Sequence, residues 1–175
     1  MPAGTIATAI LDTPIGPLSV LAHGAALVGA GFTGDPGELH ARLHPSLRPL
    51  PLAEAELPWL VKLRDYFDGD LAAIDELPVH QPATTLRERL WAWLRAVQAG
   101  TTISYADLAA RAGIPGAARA AGAACAANLA APVVPCHRAL RSDGGLGGYY
   151  YDTGRVAASG LSPQVRDLRA VASPH

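Results

Sequence analysis

A thiol, an imidazole and a guanidinium occupy consecutive positions at Cys136, His137 and Arg138, directly after the run Pro132-Val133-Val134-Pro135. A thiol attacks as thiolate, and nearby His or Arg charges lower its pKa, so Cys136 has the neighbours that a nucleophile needs. Cys125, the other of the 2 cysteines, stands among alanines and lacks them. Consecutive residues on a regular strand point to opposite faces, so Cys136 and His137 can meet only if the backbone turns there. Pro135 favours such an irregular backbone. A Cys-His pair alone is also what an ordinary buried cysteine beside a histidine looks like, so the elements around it must decide.

Those elements begin with a helical stripe, Leu86, Leu90, Trp91, Leu94 and Val97, which is expected to stop at Gly100. Ser104-Tyr105-Ala106-Asp107 fits a capping box, which predicts a second helix ending near Gly113. Pro115 is expected as the first residue of a third helix running through Ala127, with Asn128 taking the left-handed conformation after it. The result is the skeleton of a helix-turn-helix. Its second helix is almost wholly Ala and Gly around Arg119, including Ala120 and Gly122. Such a surface can approach a phosphate backbone or a minor groove closely, although small residues equally suit a helix buried in a tight core.

Upstream, Ile6 to Leu11 and Leu18 to Leu21 read as short strands separated by Thr13-Pro14-Ile15-Gly16-Pro17, which implies antiparallel hairpins. A Pro/Gly-rich stretch from Asp35 to Pro51 carries a short helical pattern, and Trp59, Leu60, Leu63, Tyr66 and Phe67 mark an amphipathic helix ending at Asp68-Gly69. The prolines from Leu77 to Pro82 predict a linker, dividing the chain into domains at residues 1–81 and 82–175. The fold class expected is α+β: a small N-terminal antiparallel-sheet domain and a C-terminal helix-turn-helix, winged-helix-like domain.

With 175 residues, 50% of them hydrophobic and 17% charged, the chain can bury a real core. No apolar stretch approaches the roughly 18 residues that span a bilayer, and the start of the chain lacks a signal pattern, which predicts a cytoplasmic protein without a membrane partner. The cysteines form neither a disulfide scaffold nor a metal spacing, so reduced thiols, no metal and no cofactor are expected. The formal net charge of −1 hides an uneven distribution. From Asp107 to Asp143 there is no acid between the two, while Arg111, Arg119, Arg138 and Arg141 fall inside the window. That basic segment could be a DNA-facing surface or a solvated face.

Pro135-Cys136-His137-Arg138 at the end of a helix-turn-helix resembles the hallmark of the O6-alkylguanine-DNA alkyltransferases. Thr13-Pro14-Ile15-Gly16-Pro17-Leu18, Tyr66-Phe67-Asp68-Gly69 and Gly100-Thr101-Thr102-Ile103-Ser104-Tyr105 are similar to that family's N-terminal hairpin, first helix end and approach to the helix-turn-helix. Tyr105, Arg119, Asn128 and Cys136 keep the family's separations without a gap. The resemblance implies a ribonuclease-H-like first domain and a monomeric minor-groove binder of double-stranded DNA containing O6-alkylguanine. Arg119 would enter the duplex in place of a flipped guanine, Tyr105 would displace its phosphate, and Arg138, Ala120 and Gly122 would join the DNA-binding set. Cys136 would accept the alkyl group once and irreversibly, with His137 as its base partner and Asn128 joining the recognition helix to the active-site segment. Tyr149, in Gly147-Gly148-Tyr149, would give a proton to the departing guanine.

Several positions depart from the family's pattern. Its relay glutamate aligns with Pro163, and the last glutamate of the chain is Glu88; Asp167, with its shorter side chain, could substitute if a few residues were inserted. Tyr150 and Tyr151 follow Tyr149 where small residues are usual, Leu86-Arg87 replaces Phe-Gln, and Leu129 replaces a proline, the last two reading as packing changes. Three alternatives to a single-turnover repair protein therefore stay open: a non-enzymatic lesion-binding module, a member acting on another alkylated molecule, and, well behind, a Cys-His hydrolase.

Overall fold

The structure is a computed structural model that describes residues 4–141. Along the chain run β1 (Ile6–Thr13), β2 (Gly16–His23), β3 (Ala26–Gly31), α1 (Pro36–His40), β4 (Leu52–Glu54), α2 (Leu60–Asp68), α3 (Thr85–Arg95), β5 (Ile103–Ser104), α4 (Tyr105–Arg111), α5 (Ala118–Ala127), a 3-10 turn at Cys136–Arg138 and β6 (Ala139–Leu140). The fold is α+β. Its described residues divide into two compact units, one reaching to Pro82 and taking in Leu129–Val133, the other built from Ala83–Asn128 and residues 134–141.

In the first unit β1 and β2 form a hairpin that closes at Thr13 and Gly16. The Thr13 hydroxyl donates to the Gly16 carbonyl, and Gly16 sits at φ 116, a backbone that favours glycine. The strand order is β3-β2-β1-β4, with β4 parallel to β1, so a sheet expected to be antiparallel is mixed at its fourth strand. Ile6, Leu21, Val28, Leu39, Leu43 and Leu47 pack into a core that also takes Leu129 from beyond α5. The α2 helix buries Leu63, Tyr66 and Phe67 and stops at Gly69, whose φ is 119.

The stretch from Leu77 to Pro82, read as a linker, is partly strand-like. The amide of Leu27 donates to the Pro78 carbonyl at 2.8 Å and that of His80 to the Leu27 carbonyl at 2.9 Å. The same edge strand, β3, receives a parallel bridge between Ala30 and Ala130, so the segment after α5 pairs with it too. Prolines disfavour ladder positions, but an outer strand needs only alternate donors, which leaves room for Pro78 and Pro82.

In the second unit α3 is capped by Thr84, whose hydroxyl accepts from the Arg87 amide, and α4 by Ser104, which accepts from Asp107 at 3.0 Å. Each such cap is worth about 1 kcal/mol. The Trp91 indole donates to the Ala124 carbonyl at 2.8 Å, tying α3 to α5, and Arg89 donates to the carbonyl of Ala112 at the end of α4. Two expected boundaries move. The α3 helix ends at Arg95 rather than near Gly100, and α5 begins at Ala118 rather than Pro115. Pro115-Gly116 instead forms a turn, with Gly116 at φ 83, so the proline precedes the helix by one loop.

Candidate active site

The sequence places Cys136 after two prolines, and the local backbone follows from them. Ala131-Pro132 is a cis peptide, Pro135 has φ −82 and ψ 66, and Cys136–Arg138 makes one 3-10 turn. This is the irregular backbone that Cys136 and His137 require to escape opposite strand faces. Cys136 is only 3% exposed, and His137 is also buried.

Directly after the turn, β6 pairs in parallel with β5, Ile103 opposite Ala139 and Ser104 opposite Leu140. Because β5 leads straight into α4, this pairing sets Tyr105, the first residue of α4, beside the residues that follow the turn. The Tyr105 phenol is pushed up to about 12 by burial and by the charges of Cys125 and Cys136, and lowered by Arg141. The ring of Tyr105 lies against α5, where a Cβ at Gly122 would stand 3.8 Å from it.

Asn128 closes the site from the other side. Its backbone is extended, φ −67 and ψ 124, and not the left-handed cap expected of it. The extended form carries the chain directly out of α5, and the side-chain amide reaches across to donate to the Val134 carbonyl at 2.8 Å. The same side chain hydrogen-bonds Cys136. An amide NH2 has two donors, so the two bonds are compatible. Burial raises the Cys136 thiol from 9.0 to about 11, while the Asn128 hydrogen bond and those of the Cys136 and His137 backbone oppose the rise.

The basic window splits. Arg111, Arg119 and Arg141 are exposed, whereas Arg138 is 3% exposed and donates from its guanidinium to the Val97 carbonyl at 2.8 Å. The expectation that Arg138 faces DNA is therefore corrected: it is an internal strut fastening the turn to the end of α3. On α5, Ala121, Ala124 and Cys125 are buried while Arg119, Ala123 and Ala126 are exposed and Ala120 and Gly122 lie between. The alanine helix thus has one face in the core and the other open. Tyr149, Tyr150, Tyr151, Pro163 and Asp167 lie outside the described residues. Among the described residues no group of three His, Cys, Asp or Glu side chains could hold a metal ion, and no helix is long and apolar enough to cross a membrane.

The family model of the 6-O-methylguanine DNA methyltransferase DNA-binding domain matches residues 85–169. The methylated-DNA--protein-cysteine methyltransferase of Salmonella typhimurium is 49% identical over 88 residues, which are 50% of this chain and 52% of that protein, so the match spans about half of each. The protein of the same name from Mycobacterium tuberculosis strain H37Rv is 36% identical over 140 residues, 79% of this chain and 81% of that one. This chain belongs to the methylated-DNA--protein-cysteine methyltransferase family. Among solved structures, the Mycobacterium tuberculosis O6-methylguanine methyltransferase aligns with a TM-score of 0.67 and 28% identity over 97% of this chain and 94% of that one. Mycobacterium tuberculosis OGT in complex with DNA aligns with a TM-score of 0.69 and 28% identity over 93% of this chain and 98% of that one.

Within this methyltransferase-family chain, sequence reasoning named Cys136, His137, Asn128 and Tyr105, and the structure gathers them in the second unit. It missed Gln81, whose side chain accepts the Leu129 amide at 2.8 Å across 48 positions. A glutamine in a proline-flanked stretch gives no sequence signal of a partner so far along the chain. Trp91 stands in the sequence as one residue of the helical stripe, and its indole donor could have flagged a buried partner.

Proposed function

We propose that the chain repairs DNA by moving an alkyl group from O6 of guanine in double-stranded DNA to Sγ of its own Cys136. The observation that supports this best is the setting of Cys136: a buried thiol on an irregular turn, with the Asn128 amide bonded to it, in a member of this family. The Sγ–carbon bond forms as the carbon–O6 bond breaks, the electron pair departs to guanine, and guanine is protonated as it leaves. A thioether remains. No step regenerates the thiol, so each molecule acts once.

A thiol held near 11 is largely protonated at neutral pH, so its proton must be taken as it attacks. His137 is the adjacent base, and no glutamate follows Glu88 to complete the family's relay, which leaves the second proton acceptor to another group. Arg119, exposed on α5, would fill the space of the flipped guanine, whose extrusion costs a few kcal/mol, and Ala120 and Gly122 would let the helix approach the groove. Tyr105 would act on the flipped nucleotide's phosphate and Tyr149 on the leaving base. In this reading the protein works as a monomer in the cytoplasm, where both thiols stay reduced.

The missing glutamate favours one second reading, a module that binds altered guanine without repairing it. Intact mass after incubation with an O6-methylguanine duplex separates the two. One methyl added, mapped to Cys136, supports transfer; unchanged mass with retained binding overturns it in favour of the module.

A further inference from the structure

Leu129 is the first residue after Asn128, and its backbone is held on both sides. Its amide donates to the Gln81 side-chain oxygen at 2.8 Å, and its carbonyl accepts from the Ala30 amide at 2.6 Å. Both residues are enclosed, Gln81 being 9% and Leu129 8% exposed. A buried amide without an acceptor is strongly unfavourable, and the acceptor here is a single side chain rather than a strand ladder. One peptide bond away, Asn128 grips the Val134 carbonyl and hydrogen-bonds Cys136. A shift of the Leu129 peptide plane therefore turns the Cα of the residue that steadies the thiol.

We propose that Gln81 is a positioning residue for Cys136, acting by fixing the Leu129 peptide and through it the side chain of Asn128. For the transfer reaction this rests on the alkyl-transfer reading above. The role of Gln81 is tied to one donor, the Leu129 N–H, and proline at that position would remove the donor. Asn128 at ψ 124 already has the backbone that a following proline requires.

The test is a double-mutant cycle with Q81M, which keeps length but loses the acceptor, L129P, which loses the donor, and the pair. The readouts are single-turnover transfer from an O6-methylguanine duplex and the pH profile of Cys136 alkylation by iodoacetamide. Q81M slows both reactions about tenfold at pH 8 and moves the iodoacetamide midpoint upward, because the Asn128 bond to the thiolate is weakened. In the L129P background the same substitution changes either rate by less than about twofold. Equal effects of Q81M in both backgrounds, or a folded Q81M with the wild-type pH profile, would overturn the proposal. Amide hydrogen exchange at Leu129 in the unmodified chain decides independently of whether Q81M folds: strong protection supports the bond, and exchange at the rate of an open loop rejects it. A wild-type chain that transfers no methyl group sinks the repair reading alone, since the iodoacetamide profiles still decide the role of Gln81.

Discussion

Cys125 and Cys136 are both buried free thiols, and both are pushed up by burial, yet their surroundings differ in kind. Cys125 lies inside α5, in its last turns, where the backbone N–H groups bond within the helix and the adjacent side chains are alanines. Nothing there offsets the burial, and the charge of Cys136 adds to the rise. Cys136 lies on a single 3-10 turn after Pro135, where the Asn128 amide and the backbone of Cys136 and His137 all bond to the sulfur. The irregular backbone at Cys136 turns donors toward sulfur that oppose its burial, whereas the causes acting on the helical Cys125 thiol all raise it.

The comparison breaks most decisively by exchange of the two thiols. Cys136→Ser should reduce methyl transfer to background, while Cys125→Ala should leave it within about threefold of wild type and cost about 1 kcal/mol of stability, as for a small buried side chain. Mass spectrometry of each variant after exposure to an O6-methylguanine duplex reads the first, and denaturant unfolding the second. A Cys125→Ala protein that no longer accepted methyl would mean that the helical thiol takes part after all.

Titration sharpens the same contrast. With its midpoint near 11, Cys136 should react with iodoacetamide about tenfold faster for each pH unit between 7 and 10, with no plateau near 9.0. A plateau below 9.0 would show that the donors around the sulfur outweigh its burial. Stability has the matching sign: the unfolded thiols ionise first, so the stability due to their burial is complete below 9.0 and is lost as pH rises toward and through about 11. Cys136→Ser should flatten part of that alkaline loss in urea unfolding series.

Removing the donor comes next in size. Asn128→Ala takes away both the clasp on Val134 and the bond to sulfur. It should slow iodoacetamide labelling at pH 8 by about tenfold, raise the midpoint, and lower stability by about 0.5–1.5 kcal/mol, because the buried Val134 carbonyl loses one of two donors and keeps the Cys136 amide. Labelling unchanged in the face of that loss of stability would confine Asn128 to a structural part.

Much of this was readable beforehand, and the reasons divide cleanly. The capping hydroxyl of Ser104, the stripe along α3 and the turn at Gly69 are local signals, set by neighbours in sequence, and they appear where expected. Asn128 was expected to act at the helix end and does so, but with an extended backbone, because its side chain is drawn to Val134 rather than to its own helix. Arg138 looked like a DNA contact because charge normally signals exposure, and its bond to the Val97 carbonyl, 41 positions away, could not be read from the sequence. Leu129 in place of a proline read as a packing change. Its side chain does pack in the core, but its amide also needs Gln81, and no pattern in one sequence couples positions 48 apart.

The smallest effect concerns the open face of the alanine helix. A glycine inside a helix is worth up to about 1 kcal/mol less than alanine, and a Cβ at Gly122 would meet the Tyr105 ring at 3.8 Å, an ordinary contact. Gly122→Ala should therefore raise stability by about 0.5–1 kcal/mol, measured by thermal unfolding, with the iodoacetamide rate of Cys136 unchanged. DNA is what makes the substitution informative. If the helix touches the groove at this point, the added methyl group weakens duplex binding while the free protein becomes more stable. If binding also stays unchanged, the closest approach lies elsewhere along α5, and the exposed Arg119 becomes the residue through which that face meets the duplex.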